Sequence, residues 1–468
     1  MRSLFETERL FKRREILAGA GGLALAGTAG AKALFAEPDR HFRLRSRMTS
    51  YAFGEVVTRG LVRSEDNALP RVLRLRQGKP AIIDYTNGLE DYSTMHWHGI
   101  RLPNAMDGFP YLTQFPIGQN ETFRYEFTPP DAGTYWYHPH CMTMSQMALG
   151  LTGILIVEEA DDLSFDADIP LNLKDFRLTE DRSVLPYFTA RGAWRYLRQC
   201  TNSKLATVAC LRCARWRTDP IALRGTDTTR VHKLVFPDVP GQIIAWDGHP
   251  IEEAILWPTI EAPLLLGPGQ RVDVAFVAPA REGQEVVFTG LLGRTPFVVA
   301  KMRAIGQDLQ RAKDDLQPLP RNSFEKPDIE AAIIQEIVVG RTPKGDGTNN
   351  GLCGTFDYIF WSINRNPWPG DAVEGTGPVL TMHQGQSYIL RMRNESPNLH
   401  PIHLHGLVFK PIRSNLRHIP AYFTDTLLLL KDEIVDIAVL ADNPGDWAFH
   451  CHVIEHQKTG LSGYIRVV

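Results

Sequence analysis

The chain has 468 residues, of which 43% are hydrophobic and 22% charged, and its formal net charge is −2. This composition excludes an intrinsically disordered chain and a collagen-like one, and the near-neutral charge balance provides no basic surface typical of nucleic-acid binding. A chain of this length corresponds to roughly two to four domains.

The N-terminus has the pattern of a twin-arginine export signal. Arg13-Arg14 precedes an apolar run rich in Ala and Gly that ends near Ala31, and Ala36 supplies a small residue for cleavage. The run is shorter and richer in glycine than a membrane-spanning helix of about 20 apolar residues. The alternative, an amphipathic N-terminal helix, does not explain the small-residue pattern. We therefore expect residues 1–36 to direct export by the Tat machinery, which makes the protein periplasmic or otherwise exported, without stable membrane insertion.

Three stretches with strand patterns follow the signal. Residues 37–160, 161–320 and 321–468 each contain apolar runs bounded by turn residues, and a linker rich in Pro and charge lies near 306–328. Strands are predicted at Gly153–Val157, Gln242–Trp246, Val272–Phe276, Tyr388–Arg393 and Glu433–Leu440.

The segment 191–217 does not fit a strand pattern. It holds six Arg, one Lys, two Trp, three Cys and no acid, without period-2 alternation. Three explanations are open: a basic surface insertion, a metal or redox element built on Cys210 and Cys213, or a frame-shifted reading that ends before Ala222. Of these, the frame-shifted reading gives the best explanation of why half of the six cysteines lie in so short a segment. Across the chain, the cysteine spacing does not indicate a disulfide framework.

Histidine placement is the most informative feature of the chain. At a content of fifteen histidines, about half an HxH pair is expected by chance, and four are present. Ten histidines lie in the motifs MHWHG, YHPHC, HPIHLHG and HCHVIEHQKTGL. The paired ones are His96/His98, His138/His140, His403/His405 and His450/His452. Ordinary core or surface positions explain the other five, which are His41, His232, His249, His383 and His418.

The spacing of these pairs predicts metal sites. Side chains at i and i+2 of a strand point to one face, so His450 and His452 face one way and the Cys451 thiolate faces the other. One ion cannot take all three, so two sites must flank this strand. On the thiolate side His456 follows, and His400 can approach from HPIHLHG, which makes a trigonal site of the blue-copper type. Zinc is the competing hypothesis, but structural zinc leaves eight imidazoles unexplained.

These four motifs, in this order, resemble those of the multicopper oxidases, the laccase-like family, over nearly the whole chain after the signal. The resemblance implies an all-β fold of three cupredoxin-like Greek-key β-sandwich domains with the boundaries given above, the first and last of which touch and hold the ligands. It also implies four copper ions. The type 1 copper falls to His400, Cys451 and His456, the type 2 copper to His96 and His403, and the type 3 pair to His98, His138, His140, His405, His450 and His452.

Three further positions follow from the resemblance. Leu461 stands where the family places an axial Met or a non-ligating residue, so the type 1 copper should be three-coordinate, with a higher reduction potential than in a Met-bearing relative. Asp107 stands where the family keeps an acid that supplies protons, although a turn residue before Gly108 is an equally simple explanation. The second acid of many bacterial relatives is replaced by Gln457, which leaves Glu455 as a candidate substitute.

We therefore predict an exported oxidase that takes single electrons from a donor at the type 1 copper. Cys451, His450 and His452 would carry them to the trinuclear cluster, where O₂ is reduced to water with protons from Asp107. Phenols and aromatic amines are the favoured donors, since no Met-rich insertion is visible and Met142, Met144 and Met147 fit core packing. The alternatives are a cuprous oxidase in copper tolerance and a non-catalytic copper-binding or envelope scaffold protein.

Overall fold

Strands account for most of the regular structure in the described part of this computed structural model. The segments 1–36 and 191–217 lie outside the described residues, apart from Ala206–Thr207, so the predictions for them are not tested. The described residues are 41–53, 56–64, 71–161, 168–176, 184, 206–207, 218–225, 228–292, 295–305, 308, 310, 312, 316, 318–341, 343, 353, 358–368, 370 and 377–468.

Two four-stranded sheets form the first part of the molecule. Their strands are β1 (His41–Phe53), β2 (Val56–Ser64), β3 (Arg71–Arg76), β4 (Ala81–Asn87), β5 (His96–His98), β6 (Thr122–Phe127), β7 (Gly133–His138) and β8 (Gly153–Glu158). The strand orders are β2-β1-β4-β6 and β3-β8-β7-β5. Along β4, Ala81, Ile83 and Tyr85 are buried and alternate with half-buried residues, as expected for a strand with one face on a core. A 3₁₀ helix (Asn104–Met106) and helix α1 (Thr143–Ala148) lie between strands.

The middle part of the chain has its own sheets and its own core. Its strands are β9 (Ile169–Leu173), β10 (Asp175–Phe176), β11 (Ala206–Thr207), β12 (Thr218–Gly225), β13 (His232–Val235), β14 (Gly241–Trp246), β15 (His249–Pro250), β16 (Leu264–Leu266), β17 (Arg271–Val277), β18 (Glu285–Leu292) and β19 (Thr295–Arg303). A five-stranded sheet has the order β15-β14-β17-β12-β9, a four-stranded sheet has the order β16-β13-β18-β19, and β10 pairs with β11. Apolar side chains of the two larger sheets pack into one cluster that includes Leu223, Val274 and Phe288.

The last part of the chain consists of two five-stranded sheets. Its elements are β20 (Ile333–Gly340), β21 (Ser362–Ile363), β22 (Leu380–Met382), β23 (Ser387–Asn394), β24 (His400–Leu404), β25 (Phe409–Ser414), β26 (Thr426–Leu429), β27 (Ile434–Leu440), β28 (Gly445–Cys451), helix α2 (Ile454–Lys458) and β29 (Ser462–Val467). The orders are β21-β20-β23-β27-β25 and β22-β29-β28-β24-β26. Strand β28, which ends in the HCH motif, therefore lies between β29 and β24.

The predicted all-β class is confirmed. All five predicted strands are present as β8, β14, β17, β23 and β27, the last of which begins one residue later than predicted, at Ile434. Apolar residues of the first and last parts form one buried cluster, which includes Leu44 of the first part and Val467 of the last. The predicted contact between these two parts is therefore also confirmed. The exact domain boundaries remain predictions.

No helix within the described ranges has the length and apolar character needed to cross a membrane.

A disulfide bond corrects the interpretation of the cysteines. Cys141, in the YHPHC motif, is bonded to Cys353, which lies 212 residues further along the chain. Both cysteines are fully buried. Local spacing does not reveal this bond, because the partners are brought together only when the first and last parts of the chain pack against each other. Among the described cysteines, only Cys451 is a free thiol.

Candidate metal centre

Two pairs of adjacent strands carry the HxH motifs. On the first pair, His96 of β5 lies opposite His138 of β7. On the second pair, His403 of β24 lies opposite His450 of β28. The residue between the two histidines of β5 is Trp97, whose side chain packs in the core, as period-2 alternation requires.

The two strand pairs face each other, so the eight paired histidines form one cluster. The ring centroids of His98 and His403 are 3.7 Å apart, and those of His96 and His405 are 3.8 Å apart. All eight imidazoles are buried. Their donor atoms fall into groups within 4.8 Å of one another: His98, His138 and His452; His140, His405 and His450; and His96, His98 and His403.

The chemistry of this cluster fits a bound metal. Burial, with added repulsion from neighbouring imidazoles, lowers the pKa of His98, His138, His140 and His452 well below the usual value, so these rings are neutral. Their unpartnered buried nitrogens include Nδ1 of His98, Nε2 of His138 and both nitrogens of His140 and His452. A buried polar atom without a partner costs about 1–3 kcal/mol, whereas neutral imidazole is a good ligand for copper.

Asp107 lies in this cluster, where the sequence analysis placed it. The Nδ1–H of His405 donates to its carboxylate at 2.9 Å, and the Nδ1–H of His96 donates to its backbone carbonyl at 2.9 Å. The Nε2 atoms of both rings are thereby left for metal. The turn explanation also holds, since Gly108 has φ +84° and a Cβ there would meet the Met95 carbonyl. Asp107 is therefore both a turn residue and a contact of the histidines.

Asp425 was missed by the sequence analysis. The Nε2–H of His98 donates to its carboxylate at 3.0 Å, and the Nδ1–H of His403 donates to its backbone carbonyl at 2.9 Å. Asp425 therefore anchors one histidine from each strand pair, as Asp107 does. The only local indication in the sequence is an acid directly before the apolar run of β26. The structure shows that this acid is fully buried, and a charged residue is buried in this way only when it is paired.

The thiolate site lies on the other face of β28. The Cys451 Sγ is 3.5 Å from Nδ1 of His400 and 3.7 Å from Nδ1 of His456, and the two Nδ1 atoms are 3.2 Å apart. Nε2 of His400 is hydrogen-bonded to the Ser396 hydroxyl at 2.8 Å. Burial raises the pKa of the Cys451 thiol, so a thiolate here requires a cation such as copper. Three donor atoms converge as a trigonal copper site requires.

Leu461 connects the two elements of the thiolate site through its backbone. Its carbonyl accepts a hydrogen bond from the Cys451 amide at 3.0 Å, and its amide donates to the His456 carbonyl at 2.9 Å. Its side chain is fully buried and has no donor atom for a metal. The axial role of this position stays a prediction.

The other predicted residues lie outside the histidine groups. Gln457 is buried on α2, and Glu455 accepts a hydrogen bond from the Tyr358 hydroxyl at 3.2 Å. Among the five unclustered histidines, His41 contacts Asp84, and His418 contacts Glu253 at the surface. Met144 and Met147 pack in a buried cluster with Trp136 and Ile454, which confirms the core-packing interpretation for these two.

Comparisons with known proteins agree with this arrangement. Family models described as multicopper oxidase match residues 47–162 and 343–468, which contain all the clustered histidines. A crystal structure of a multi-copper oxidase from Pseudomonas thermotolerans is 32% identical and matches with a TM-score of 0.77, covering 92% of this chain and 99% of its own.

Two curated relatives are similar over most of their length. The multicopper oxidase MmcO of Mycobacterium tuberculosis is 25% identical over 446 residues, which is 85% of this chain and 81% of its own. Laccase-2 of Pleurotus ostreatus is 26% identical over 427 residues, which is 79% of this chain and 75% of its own. With the histidine groups and the thiolate site, these matches show that the chain belongs to the multicopper oxidase family of copper-binding oxidoreductases.

Proposed function

We propose that this protein is an oxidase that takes single electrons from an organic donor and reduces O₂ to water. The observation that carries the proposal is the HCH motif, because its three consecutive residues belong to three separate donor-atom groups: Cys451 to the thiolate site, and His450 and His452 to two different groups of the histidine cluster. Bound copper would supply the one-electron chemistry and the binding of O₂.

The donor groups suit four ions. His400, Cys451 and His456 would hold the type 1 copper, and His96 and His403 the type 2 copper. The remaining two groups, His98, His138 and His452, and His140, His405 and His450, would hold the type 3 pair. Burial excludes bulk water from the cluster, and Asp107, which is hydrogen-bonded to His405, would pass protons to the reduced oxygen.

The side chains beside the type 1 site support an organic donor. Of the three ligands of this site, His400 and Cys451 are buried and His456 is partly exposed. The Trp361 ring lies 4.5 Å from the His456 ring. The Arg341 guanidinium lies over the rings of Trp361 and Phe360, and Phe360 is 43% exposed. Burial, with the added positive charge of Arg341, lowers the pKa of His456 to about 3.

An aromatic surface beside a cation favours aromatic donors, especially acidic ones, over Cu(I). Arg341→Gln should therefore lower kcat/KM for a phenol bearing a carboxylate by about two- to fivefold relative to an uncharged phenol, as expected for an exposed charge pair. The uncharged phenol is the control for any change in copper content. Equal loss for both phenols would contradict a role in donor recognition.

Oxygen consumption tests the proposed reaction directly. The copper-loaded protein should bind four ions, show the blue thiolate-to-copper absorption and consume O₂ with phenols and aromatic amines. Cys451→Ser should abolish the blue band and donor-driven O₂ uptake while keeping the other ions. A blue band in that variant would overturn the type 1 assignment. Faster turnover of Cu(I) than of organic donors would favour the cuprous oxidase, and no uptake with any donor would favour the scaffold protein.

Export by the Tat machinery is part of the proposal. It is supported by the Arg13-Arg14 pair and the apolar run that follows it. Replacing both arginines with lysine should leave the uncleaved protein inside the cell, which fractionation and mass determination would detect. Normal processing of that variant would contradict the assignment.

A further inference from the structure

One arginine of the middle part of the chain reaches the histidine cluster. Arg271, the first residue of β17, is fully buried. Its Nη1 donates to the Asp425 carboxylate at 2.8 Å, and its Nη2 pairs with the second carboxylate oxygen at 2.7 Å. Asp425 in turn accepts the hydrogen bond from His98. None of the donor-atom groups found among the described residues includes a residue of 161–320, so this contact links the middle part to the cluster indirectly.

The surroundings hold Arg271 in one position. Its Nε donates to the Thr134 carbonyl at 3.2 Å, and its Nη2 donates to the Asp247 carbonyl at 2.8 Å. Its backbone amide donates to the Asp247 carboxylate at 2.6 Å, and that carboxylate accepts a hydrogen bond from the Thr424 hydroxyl. A Cβ at Gly99 would lie 2.4 Å from Nη2, so the space for the guanidinium depends on glycine there. The guanidinium therefore bridges the first, middle and last parts of the chain.

Arg271 also determines the charge balance at Asp425. Asp425 is fully buried, and the Arg271 guanidinium supplies a positive charge 2.7 Å from its carboxylate. A buried carboxylate without such a partner would be costly. Two parallel contacts from a planar guanidinium also restrict the orientation of the carboxylate. A lysine would keep the charge but would lose this two-point contact.

We propose that Arg271 is a positioning residue for the trinuclear copper site, acting through Asp425. An acceptor at Nε2 of His98 selects the tautomer in which Nδ1, which has no partner among the described residues, is left for metal. In the same way, the Asp425 backbone carbonyl accepts a hydrogen bond from Nδ1 of His403, so that Nε2 of His403 is left for metal. This Nε2 lies 3.4 Å from Nε2 of His96. The middle part of the chain thus completes a site to which it supplies no ligand. This inference rests on the copper sites proposed above.

The test compares Arg271→Met, Arg271→Lys and a control, Asn322→Ala. Asn322 also joins parts of the chain, since its amide donates to the Ala132 carbonyl at 2.9 Å and contacts His249, but it has no contact with Asp425 among those found. Total copper is measured by metal analysis and divided by the concentration of blue sites. The blue absorbance gives that concentration, because only folded protein with a type 1 site is blue. Electron paramagnetic resonance of the type 2 copper reports on the environment of His403.

Arg271→Met should lower copper per blue site at least twofold and alter the type 2 resonance, and Arg271→Lys should give an intermediate result. Asn322→Ala should keep the wild-type ratio even if it unfolds at a lower temperature. Arg271→Met with the wild-type ratio and resonance would overturn the inference. Failure of both Arg271 variants to fold, while the control folds, would make Arg271 a folding determinant and also overturn it. Wild-type protein with no copper beyond the blue site would instead refute the copper assignment itself.

Discussion

At the residue scale, the site depends on which nitrogen of each imidazole is already used by the protein. Asp107 accepts from Nδ1 of His405, whereas Asp425 accepts from Nε2 of His98. The free nitrogen therefore differs between these two rings, although both belong to HxH motifs. Partners of this kind fix the ring orientation and tautomer of a metal ligand. The chemistry of the centre is consequently determined by carboxylates as much as by histidines.

Leu461→Met should lower the reduction potential of the type 1 copper. A thioether at this position would add a weak axial donor. Adding such a donor favours Cu(II) over Cu(I), which lowers the reduction potential. A Leu-to-Met exchange conserves volume and costs less than about 1.5 kcal/mol, so the fold should be retained. A redox titration followed at the blue band measures the change. Leu461→Ile, which stays aliphatic, is the control, and an unchanged or higher potential in the Met variant would show that position 461 is not axial.

Asp107→Asn should slow reoxidation by O₂ much more than it slows reduction by the donor. The amide cannot deliver a proton, and proton transfer by a positioned side chain contributes about 10²–10⁴-fold to such steps. Stopped flow separates the two half-reactions, since the blue band bleaches with donor in the absence of O₂ and returns on mixing with O₂. Copper content must be measured as well, because Asp107 also anchors His96 and His405.

Two further variants sharpen this experiment. Asp84→Asn removes an acid of β4 that pairs with Arg124 of β6, and this variant should reoxidise normally. Gln457→Glu in the Asp107→Asn background should partly restore the rate if a missing acid is the limitation. Reoxidation of Asp107→Asn at the wild-type rate, with full copper content, would show that the protons come from elsewhere.

At the scale of elements, strand β28 and helix α2 organise the thiolate site. Cys451 ends the strand, His456 lies on the helix that follows, and β24 supplies His400 beside them. The disulfide reinforces this arrangement, since the Cys353 carbonyl accepts hydrogen bonds from Met142 at 2.9 Å and from Lys458 of α2 at 3.1 Å. The segment after His140 is thus tied to the helix that carries His456.

Removing the disulfide should destabilise the protein substantially. A bond that closes a loop of 212 residues removes much chain entropy from the unfolded state, and such native bonds typically contribute about 2–5 kcal/mol. The double variant Cys141→Ala/Cys353→Ala should therefore have a lower denaturation midpoint than wild type, measured on copper-free protein by circular dichroism. Reductant should lower the midpoint of wild type and leave that of the variant unchanged. Equal midpoints for the two proteins without reductant would contradict the prediction.

At the scale of the whole molecule, the centre lies where the first and last parts of the chain meet. Arg101 pairs with Asp131 at 2.8 Å and with Asp442 at 2.9 Å, and the Asn104 amide donates to the Asp446 carbonyl at 2.7 Å. The histidine groups combine residues of both parts. Bound copper would therefore hold together two regions that are distant in sequence.

Copper removal should lower the temperature of unfolding. A ligand that binds only the folded protein stabilises it by about 2.7 kcal/mol when its free concentration is a hundredfold above Kd. Scanning calorimetry of copper-free and copper-loaded protein should show this shift, and His403→Ala should reduce it. His418→Ala, at the surface beside Glu253, should show the full shift. The same unfolding temperature with and without copper would contradict a bridging role for the metal.

The sequence alone was sufficient for the fold class, for five strands and for the histidines and cysteine that the structure brings together. The fold class followed from the resemblance to the multicopper oxidases. Strand alternation explains the site residues, because period 2 places His450 and His452 on one face and Cys451 on the other without any knowledge of distant residues. The family motifs extended the same reasoning to Asp107, eleven residues after His96.

Only the tertiary structure decided which distant residues complete the site. Asp425 lies 327 residues from His98, and Arg271 lies 154 residues from Asp425. Cys141 and Cys353 are likewise separated by 212 residues. No local periodicity connects such pairs, since each is created by packing between different parts of the chain. A buried charge or thiol shows that a partner must exist, but the partner's identity depends on which sheets meet.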